Sequence, residues 1–174
     1  MADALTISRM ALVLPIGILV VSGHLTAAVM LHLLAIVTDL VDGHVARLTG
    51  SASSEGANLD GAADMVLALA GVGWVFYLFP EYRFLLAIYG AVALGLIAVY
   101  LTYCRLRAGK IILLHLHSGR ISAGAAYLLF PFYALGWEGS WPIHIAGMAV
   151  AYFYLESLLY IGRGRRDPGG RTAW

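Results

Sequence analysis

Apolar residues fill the chain in six long segments, separated by short stretches that carry charge, glycine or proline. The segments cover approximately residues 5–22, 25–48, 58–78, 83–104, 121–137 and 141–160. Each approaches the roughly 20 residues that a helix needs to cross the hydrocarbon core of a bilayer. The pattern therefore predicts an all-α membrane protein with six transmembrane helices. The first is expected to be a retained helix rather than a cleaved signal peptide.

The composition supports this prediction and excludes an ordinary soluble domain. Of the 174 residues, 61% are hydrophobic and 12% are charged, whereas soluble domains are about a quarter charged. No stretch is left for a separate soluble core, so we expect a single domain over residues 1–174, with residues 161–174 as a flexible cytoplasmic tail. The one cysteine, Cys104, allows no disulfide within the chain and is interpreted as a small apolar core residue.

Basic residues fall almost entirely on one side of the six-helix arrangement. Arg83 falls on one side, and ten residues fall on the other: Arg9, Arg47, Arg105, Arg107, Lys110, Arg120, Arg163, Arg165, Arg166 and Arg171. Short cytoplasmic loops carry an excess of lysine and arginine. We therefore expect both termini, and the loops after the second and fourth helices, to be cytoplasmic.

Four aspartates interrupt the apolar pattern at the cytoplasmic ends of the second and third helices. In the stretch TDLVDGHVAR, Asp39, Asp42, Gly43 and Ala46 occupy positions i, i+3, i+4 and i+7 and so share one helix face. A carboxylate at the centre of a bilayer costs ~2.5–3.5 kcal/mol on insertion scales, and less near the interface. Acidic residues in such a position therefore indicate a function.

The second pair of aspartates repeats this arrangement of acidic and small residues. Gly56, Asp60 and Asp64 are spaced by four residues, again on one helix face. With Arg47, the four aspartates carry a charge of −3, which two divalent cations would change to +1, a charge suited to a pyrophosphate. Oxygen ligands without histidine or cysteine favour magnesium or manganese over zinc. The predicted cofactors are therefore two divalent cations, Mg or Mn.

The order of these residues resembles the signature of the CDP-alcohol phosphotransferases, also called CDP-alcohol phosphatidyltransferases. The matching positions are Asp39, Asp42, Gly43, Ala46, Arg47, Gly56, Asp60 and Asp64, at the spacing of the family. The chain length and the six predicted helices are also similar to the family's transmembrane core. The resemblance implies a metal-dependent enzyme of phospholipid synthesis, which transfers a phosphatidyl group from CDP-diacylglycerol to a small alcohol and releases CMP.

The resemblance also implies a role for each residue of the signature. Asp39, Asp42 and Asp60 are expected to bind the metal ions, and Asp64 is expected to be both a metal ligand and the catalytic base. Four residues are expected to line the CDP site: Gly43, Ala46, Arg47 and Gly56.

Further expectations concern location and partners. They include a prokaryotic inner membrane, an active site that faces the cytoplasm, and lipid tails that lie in the bilayer. The family is often dimeric, so a homodimer is expected, although no sequence feature locates its interface. No nucleic-acid partner is expected.

The acceptor alcohol is specified less well than the donor. Arg105, Arg107 and Arg120 follow the fourth helix with no acidic residue between them, and guanidinium groups suit phosphate. We therefore favour glycerol 3-phosphate, the acceptor of bacterial phosphatidylglycerophosphate synthases. The serine-rich connection before Asp60 keeps a phosphatidylserine synthase as an alternative, beside other acceptors used within the family.

A divalent-cation or proton transporter is the alternative from a different functional class, since acidic residues inside membranes also occur there. Transporters distribute polar groups through their helices and often show repeated halves with broken helices. Here the acidic residues cluster at one end, and no internal repeat is visible. His32 lies inside the second helix and is interpreted as a residue that forms a hydrogen bond within the bundle.

Overall fold

The computed structural model describes residues 2–48, 54–109 and 116–163. These residues form six α-helices and no strand, with a short 3₁₀ turn at Pro80–Tyr82. The helices are α1 (Ala2–Val21), α2 (Leu25–Leu48), α3 (Ser54–Leu78), α4 (Arg83–Ala108), α5 (His117–Ala134) and α6 (Trp141–Gly162). The predictions of an all-helical class and of six helices are therefore confirmed.

Two helical segments are long and apolar enough to cross a membrane, Pro80–Arg107 and Trp141–Gly162. Only 11% and 17% of their apolar windows are buried inside the described part of the protein. A core helix of a soluble protein would be mostly buried, so these helices indicate an apolar solvent such as the bilayer. Shorter apolar stretches lie at Met10–Val21, Leu25–Thr38 and Ala63–Leu78. Six membrane crossings and the cytoplasmic position of both termini stay predictions.

Glycines end α1 and α5 in the same way. Gly23 has φ 77° and Gly136 has φ 85°, in the left-handed region that a side chain disfavours. After α5, the Gly136 N–H donates to the Tyr133 carbonyl and the Trp137 N–H to the Phe132 carbonyl. The rings of Phe132 and Trp137 lie 5.0 Å apart, the apolar contact that accompanies this C-terminal motif. Each glycine therefore marks where a helix stops.

The chain divides into two compact units, Met1–Pro80 with Ala126–Glu138, and Glu81–Ala125 with Gly139–Trp174. α5 contributes to both, with its residues from 126 onward in the first unit. The prediction of one domain over residues 1–174 stays a prediction. Of its proposed tail, residues 164–174 lie outside the described residues.

In the first unit, α1 packs against both α2 and α3. All three helices contribute small or branched apolar side chains to a buried core, including Ile16, Val20, Ala28, Ala35, Ala63 and Leu67. Small residues let helices approach closely where lipid replaces water as the solvent. The core therefore fixes α2 and α3, the helices that carry the aspartate signature.

In the second unit, α4 packs against α6, and the two helices run parallel. The Tyr89 hydroxyl lies 2.8 Å from His144 Nδ1, the rings of Tyr100 and Tyr154 are 5.9 Å apart, and a Cβ on Gly162 would lie 3.1 Å from the Tyr103 hydroxyl. Residues further along α4 contact residues further along α6, which is the order of contacts in a parallel pair. Cys104 is fully buried beside Tyr100 and Ile161, so its interpretation as a small core residue is confirmed.

Candidate functional site

The aspartate signature lies on two consecutive helices of the first unit. Asp39, Asp42, Gly43, Ala46 and Arg47 belong to the C-terminal part of α2, and Gly56, Asp60 and Asp64 belong to the N-terminal part of α3. The connection at residues 49–53 lies outside the described residues. Since both stretches are helical, the predicted sharing of one helix face holds on α2 and on α3.

His32, near the start of α2, contacts residues near the end of α3, so the two helices form an antiparallel pair whose register this contact sets. The ring of His32 meets Trp74 edge to face at 5.7 Å, and a Cβ on Gly71 would lie 3.7 Å from His32 Cε1. Asp39 follows His32 by seven residues, and Asp64 precedes Gly71 by seven residues. Each aspartate therefore lies ~10 Å along its helix from this contact.

The same register applies to the second pair of aspartates. Asp42 lies ten residues after His32, and Asp60 lies eleven residues before Gly71, so both are ~15 Å from the contact along the helix axes. The pairs Asp39 with Asp64, and Asp42 with Asp60, thus lie at matching heights on the two helices. The four positions, which span residues 39–64, therefore belong to the same end of the helical pair.

Asp64 is the one aspartate of the signature whose side chain the structure describes. It is partly buried and follows Ala63, which is fully buried in the core of the first unit. The side chains of Asp39, Asp42 and Asp60, and of Arg47, lie outside the described residues. Among the side chains that are described, no three histidine, cysteine or acidic residues form a metal-binding group. Metal binding by the four aspartates therefore stays a prediction.

His32 forms a hydrogen bond inside the first unit, which confirms its interpretation. It is fully buried, and its Nε2 lies 3.0 Å from the Tyr127 carbonyl oxygen on α5. A carbonyl only accepts, so Nε2 carries the proton. Pro131 lies inside α5, four residues after Tyr127, and a proline has no N–H to donate to that carbonyl. The imidazole therefore supplies the hydrogen bond that the proline cannot supply.

An aromatic cluster surrounds this hydrogen bond. Phe130 of α5 lies 5.4 Å from the His32 ring and 5.0 Å from the ring of Trp74, in both cases edge to face, and ring centroids at 4.5–7 Å are favourable in this geometry. The cluster joins α2, α3 and α5. It therefore fixes the two aspartate-bearing helices against a third helix, and the sequence motif gives no indication of this contact.

The basic residues predicted to bind the acceptor lie in the second unit. Arg105 and Arg107 belong to the last turn of α4, Arg120 belongs to the first turn of α5, and all three are exposed. Arg107 is directed at a neighbour, with its guanidinium carbon 5.9 Å from the centre of the Tyr103 ring.

Arg120 lies at a different height from the end of α4. A Cβ on Gly119 would lie 3.0 Å from the Phe153 ring, so the start of α5 contacts α6 at Phe153. Phe153 precedes Arg163 by ten residues, which is ~15 Å along the axis of α6. Tyr103 approaches α6 at Gly162, next to Arg163. Arg107 and Arg163 therefore share one end of the unit, and Arg120 is separated from them along the helix axis.

Two glycines near these basic residues have structural roles. Gly109 ends α4 in a left-handed conformation, and its N–H donates to the Arg105 carbonyl at 3.1 Å. Gly119 permits the close approach of α5 to the Phe153 ring. A helix end therefore accounts for Gly109, and a close helix contact accounts for Gly119.

Comparison with known proteins gives one family. The sequence profile described as CDP-alcohol phosphatidyltransferase matches residues 1–157 of the chain. This range contains every position of the aspartate signature and most of α6. No curated protein and no solved structure shows a significant match.

Proposed function

Because the chain belongs to the CDP-alcohol phosphatidyltransferase family, a family of phosphatidyl-transferring enzymes, we propose that its donor is CDP-diacylglycerol and that its acceptor is a small phosphorylated alcohol. The observation that carries the proposal is the placement of four aspartates at matching heights on α2 and α3. The exposed apolar surface of the protein also suits contact with the acyl chains of the donor.

The residues fit two divalent cations, since their donors are carboxylate oxygens on an antiparallel helical pair. Asp39, Asp42, Asp60 and Asp64 would hold them. When bound, Mg²⁺ or Mn²⁺ would neutralise charge on the pyrophosphate and orient it for in-line displacement. A protein end that carries four carboxylates would otherwise repel that pyrophosphate.

The transfer step breaks one bond and forms another. The acceptor hydroxyl oxygen attacks the phosphorus that bears the diacylglycerol, the bond from that phosphorus to the oxygen of CMP breaks, and CMP leaves with the electron pair. The hydroxyl proton passes to Asp64, which is positioned on α3 as the proposed base. Arg47 would contact the phosphates, and Gly43, Ala46 and Gly56 would leave space for the cytidine.

Glycerol 3-phosphate is the proposed acceptor, with Arg120 as the cation for its phosphate. Arg120 is exposed at the start of α5, whereas Arg107 is directed at Tyr103. A guanidinium can form two hydrogen bonds to a phosphate, and a small zwitterion such as serine requires fewer cations. Arg105 is retained as a secondary candidate for the same role.

The test is to measure CMP release by the purified protein in detergent. CDP-diacylglycerol is combined with glycerol 3-phosphate, serine, an inositol phosphate or phosphatidylglycerol, with Mg²⁺, with Mn²⁺, or with a chelator. We expect release with glycerol 3-phosphate and metal, and none with the chelator. CMP release with serine and with no other acceptor would show that serine is the acceptor, and it would still support CDP-diacylglycerol as the donor. Full activity after exhaustive chelation would overturn the metal site, and the absence of release with every acceptor would overturn the proposed donor.

A further inference from the structure

An open apolar groove runs between α4 and α6 at their C-terminal ends. Its walls include Val99 of α4 and Leu155 and Leu159 of α6, which are 54%, 52% and 56% exposed. From Leu155 to Arg163 the groove follows α6 for eight residues, which is ~12 Å. This length is close to the ~15 Å of hydrocarbon in one leaflet of a bilayer. The groove is therefore long enough for most of the part of an acyl chain that lies in one leaflet.

The C-terminal end of the groove is positively charged. Arg163 lines the groove together with Tyr103 and Gly162. The guanidinium carbon of Arg107 lies 5.9 Å from the Tyr103 ring centre, so a second cation lies beside the same wall. Because Gly162 has no side chain, the Tyr103 hydroxyl lies next to bare α6 backbone, 3.1 Å from the position of a Cβ. Arg163 lines the groove with Tyr103, and Arg107 lies over the Tyr103 ring, so both cations are beside this tyrosine at one end of an apolar surface.

We propose that this groove binds an anionic phospholipid of the bilayer. One acyl chain lies along Val99, Leu155 and Leu159, and the lipid phosphate lies between Arg107 and Arg163. The apolar wall suits the acyl chain, and the two guanidinium groups suit a phosphate with a net negative charge. A zwitterionic lipid also carries an ammonium group, which the same cations disfavour.

Two other occupants fit less well. A second copy of the chain related by a two-fold axis along the bilayer normal would bring the same cations of both copies towards each other, which is unfavourable. The CDP-bearing donor is assigned above to the aspartate signature on α2 and α3, whereas every residue of the groove belongs to α4 or α6, or to Arg163 directly after α6. The groove therefore shares no residue with the proposed donor site.

Native mass spectrometry of the purified full chain tests the proposal. The protein is mixed with phosphatidylglycerol and phosphatidylcholine of identical acyl chains, and the ratio of bound lipids is measured for each variant. A basic residue near a membrane surface changes binding of an anionic lipid by about fivefold. We expect the preference for phosphatidylglycerol to fall by about fivefold in Arg163→Gln and by about twentyfold when Arg107→Gln is added. The matched control, Arg83→Gln, removes the same charge at the opposite end of α4 and is expected to keep the preference.

A second pair of variants tests the groove without removing charge. Gly162→Leu places a side chain beside the Tyr103 hydroxyl and is expected to reduce binding of phosphatidylglycerol at least severalfold. Gly95→Leu, on α4 where no atom lies within 4 Å of a Cβ, is expected to bind as the parent chain does. An unchanged lipid preference in the double arginine variant overturns the proposal, as does an equal loss in Arg83→Gln. Loss of CDP-diacylglycerol binding alone would assign the groove to the donor and equally overturn it.

Discussion

Asp64 lies partly buried in the third turn of α3, and its carboxylate is the proposed acceptor of the hydroxyl proton. Asparagine keeps the size of the side chain but removes its basicity. We expect Asp64→Asn to lower turnover by about 100-fold or more, which is the contribution of a general base, while CDP still binds in the presence of metal. Radiolabelled CMP release and CDP binding measure the two effects.

Glu138→Gln is the control for this variant, since Glu138 is an exposed residue in the connection between α5 and α6. It removes one carboxylate from a position with no proposed catalytic role. Turnover by Asp64→Asn at the level of this control would exclude Asp64 as the base.

Arg120 is the residue through which acceptor choice is tested. We expect Arg120→Ala to raise the KM for glycerol 3-phosphate about tenfold or more, since a hydrogen bond to a charged group is worth ~1.5–3 kcal/mol. The KM for CDP-diacylglycerol should change much less, because the donor is assigned to other residues. Arg83→Ala is the matched control. Equal changes in both KM values would remove Arg120 from the acceptor site.

His32 and Pro131 are coupled through one carbonyl oxygen. In His32→Leu the Tyr127 carbonyl loses the donor at 3.0 Å, and Pro131 has no N–H to replace it. We expect this variant to lower the free energy of unfolding by ~1–3 kcal/mol. In a Pro131→Ala background the alanine N–H becomes available, so the cost of losing His32 should be smaller.

A double-mutant cycle measures this coupling, with thermal unfolding of the detergent-solubilised protein as the readout. A coupling energy of ~1 kcal/mol is expected. If His32→Leu lowers the free energy of unfolding equally in the parent chain and in Pro131→Ala, the hydrogen bond is not what stabilises the unit. The imidazole would then act through its ring contacts with Trp74 and Phe130.

At the scale of the element, the contact of α4 with α6 depends on one small residue. A Cβ on Gly147 would overlap the ring of Tyr89, whose hydroxyl also lies at hydrogen-bond distance from His144 Nδ1. We expect Gly147→Ala to destabilise the second unit by ~1–3 kcal/mol, the usual cost of overpacking. Gly95→Ala, in a helix with open space around it, should be neutral or stabilise by ~0.5–1 kcal/mol.

Replacement of Tyr89 by leucine in the Gly147→Ala background provides a second check. A smaller and more flexible side chain makes room for the added methyl group, so part of the lost stability should return. If Gly147→Ala and Gly95→Ala unfold at the same temperature, then the close contact of α4 with α6 at Gly147 does not limit stability.

At the scale of the whole molecule, the distribution of basic residues predicts the orientation in the membrane. Within the second unit, the parallel arrangement of α4 and α6 places Arg105, Arg107 and Arg163 at one end, opposite Arg83. This placement agrees with the excess of basic residues expected on the cytoplasmic side. Both termini are predicted to lie on that side.

Cysteine labelling tests this orientation in cells that express the chain. The natural Cys104 is fully buried, so we expect it to react little with the label. The labelling signal then reports on the single added cysteine. A membrane-impermeant maleimide should label Glu138→Cys from outside and Arg171→Cys only after permeabilisation. The reverse result would invert the orientation, and labelling of both from outside would show that α6 does not cross the membrane.

The sequence by itself determined the six helices and the position of the aspartates on α2 and α3. Both follow from local rules, because hydrophobic runs specify helix length and helical spacing decides which residues share a face. Gly23 and Gly136, which end α1 and α5, act through local backbone geometry in the same way. The signature Asp39 to Asp64 also identified the family before any contact between helices was known.

Only the tertiary structure decided how distant segments meet. The partner of His32 lies 95 residues away on α5, and its identity depends on how three helices pack around Trp74 and Phe130. The parallel register of α4 and α6, which brings Arg163 beside Tyr103, is equally invisible in the spacing of either helix. The physical reason is that a helix's periodicity fixes its own faces, whereas its neighbour and register are set by the close packing of side chains from remote parts of the chain.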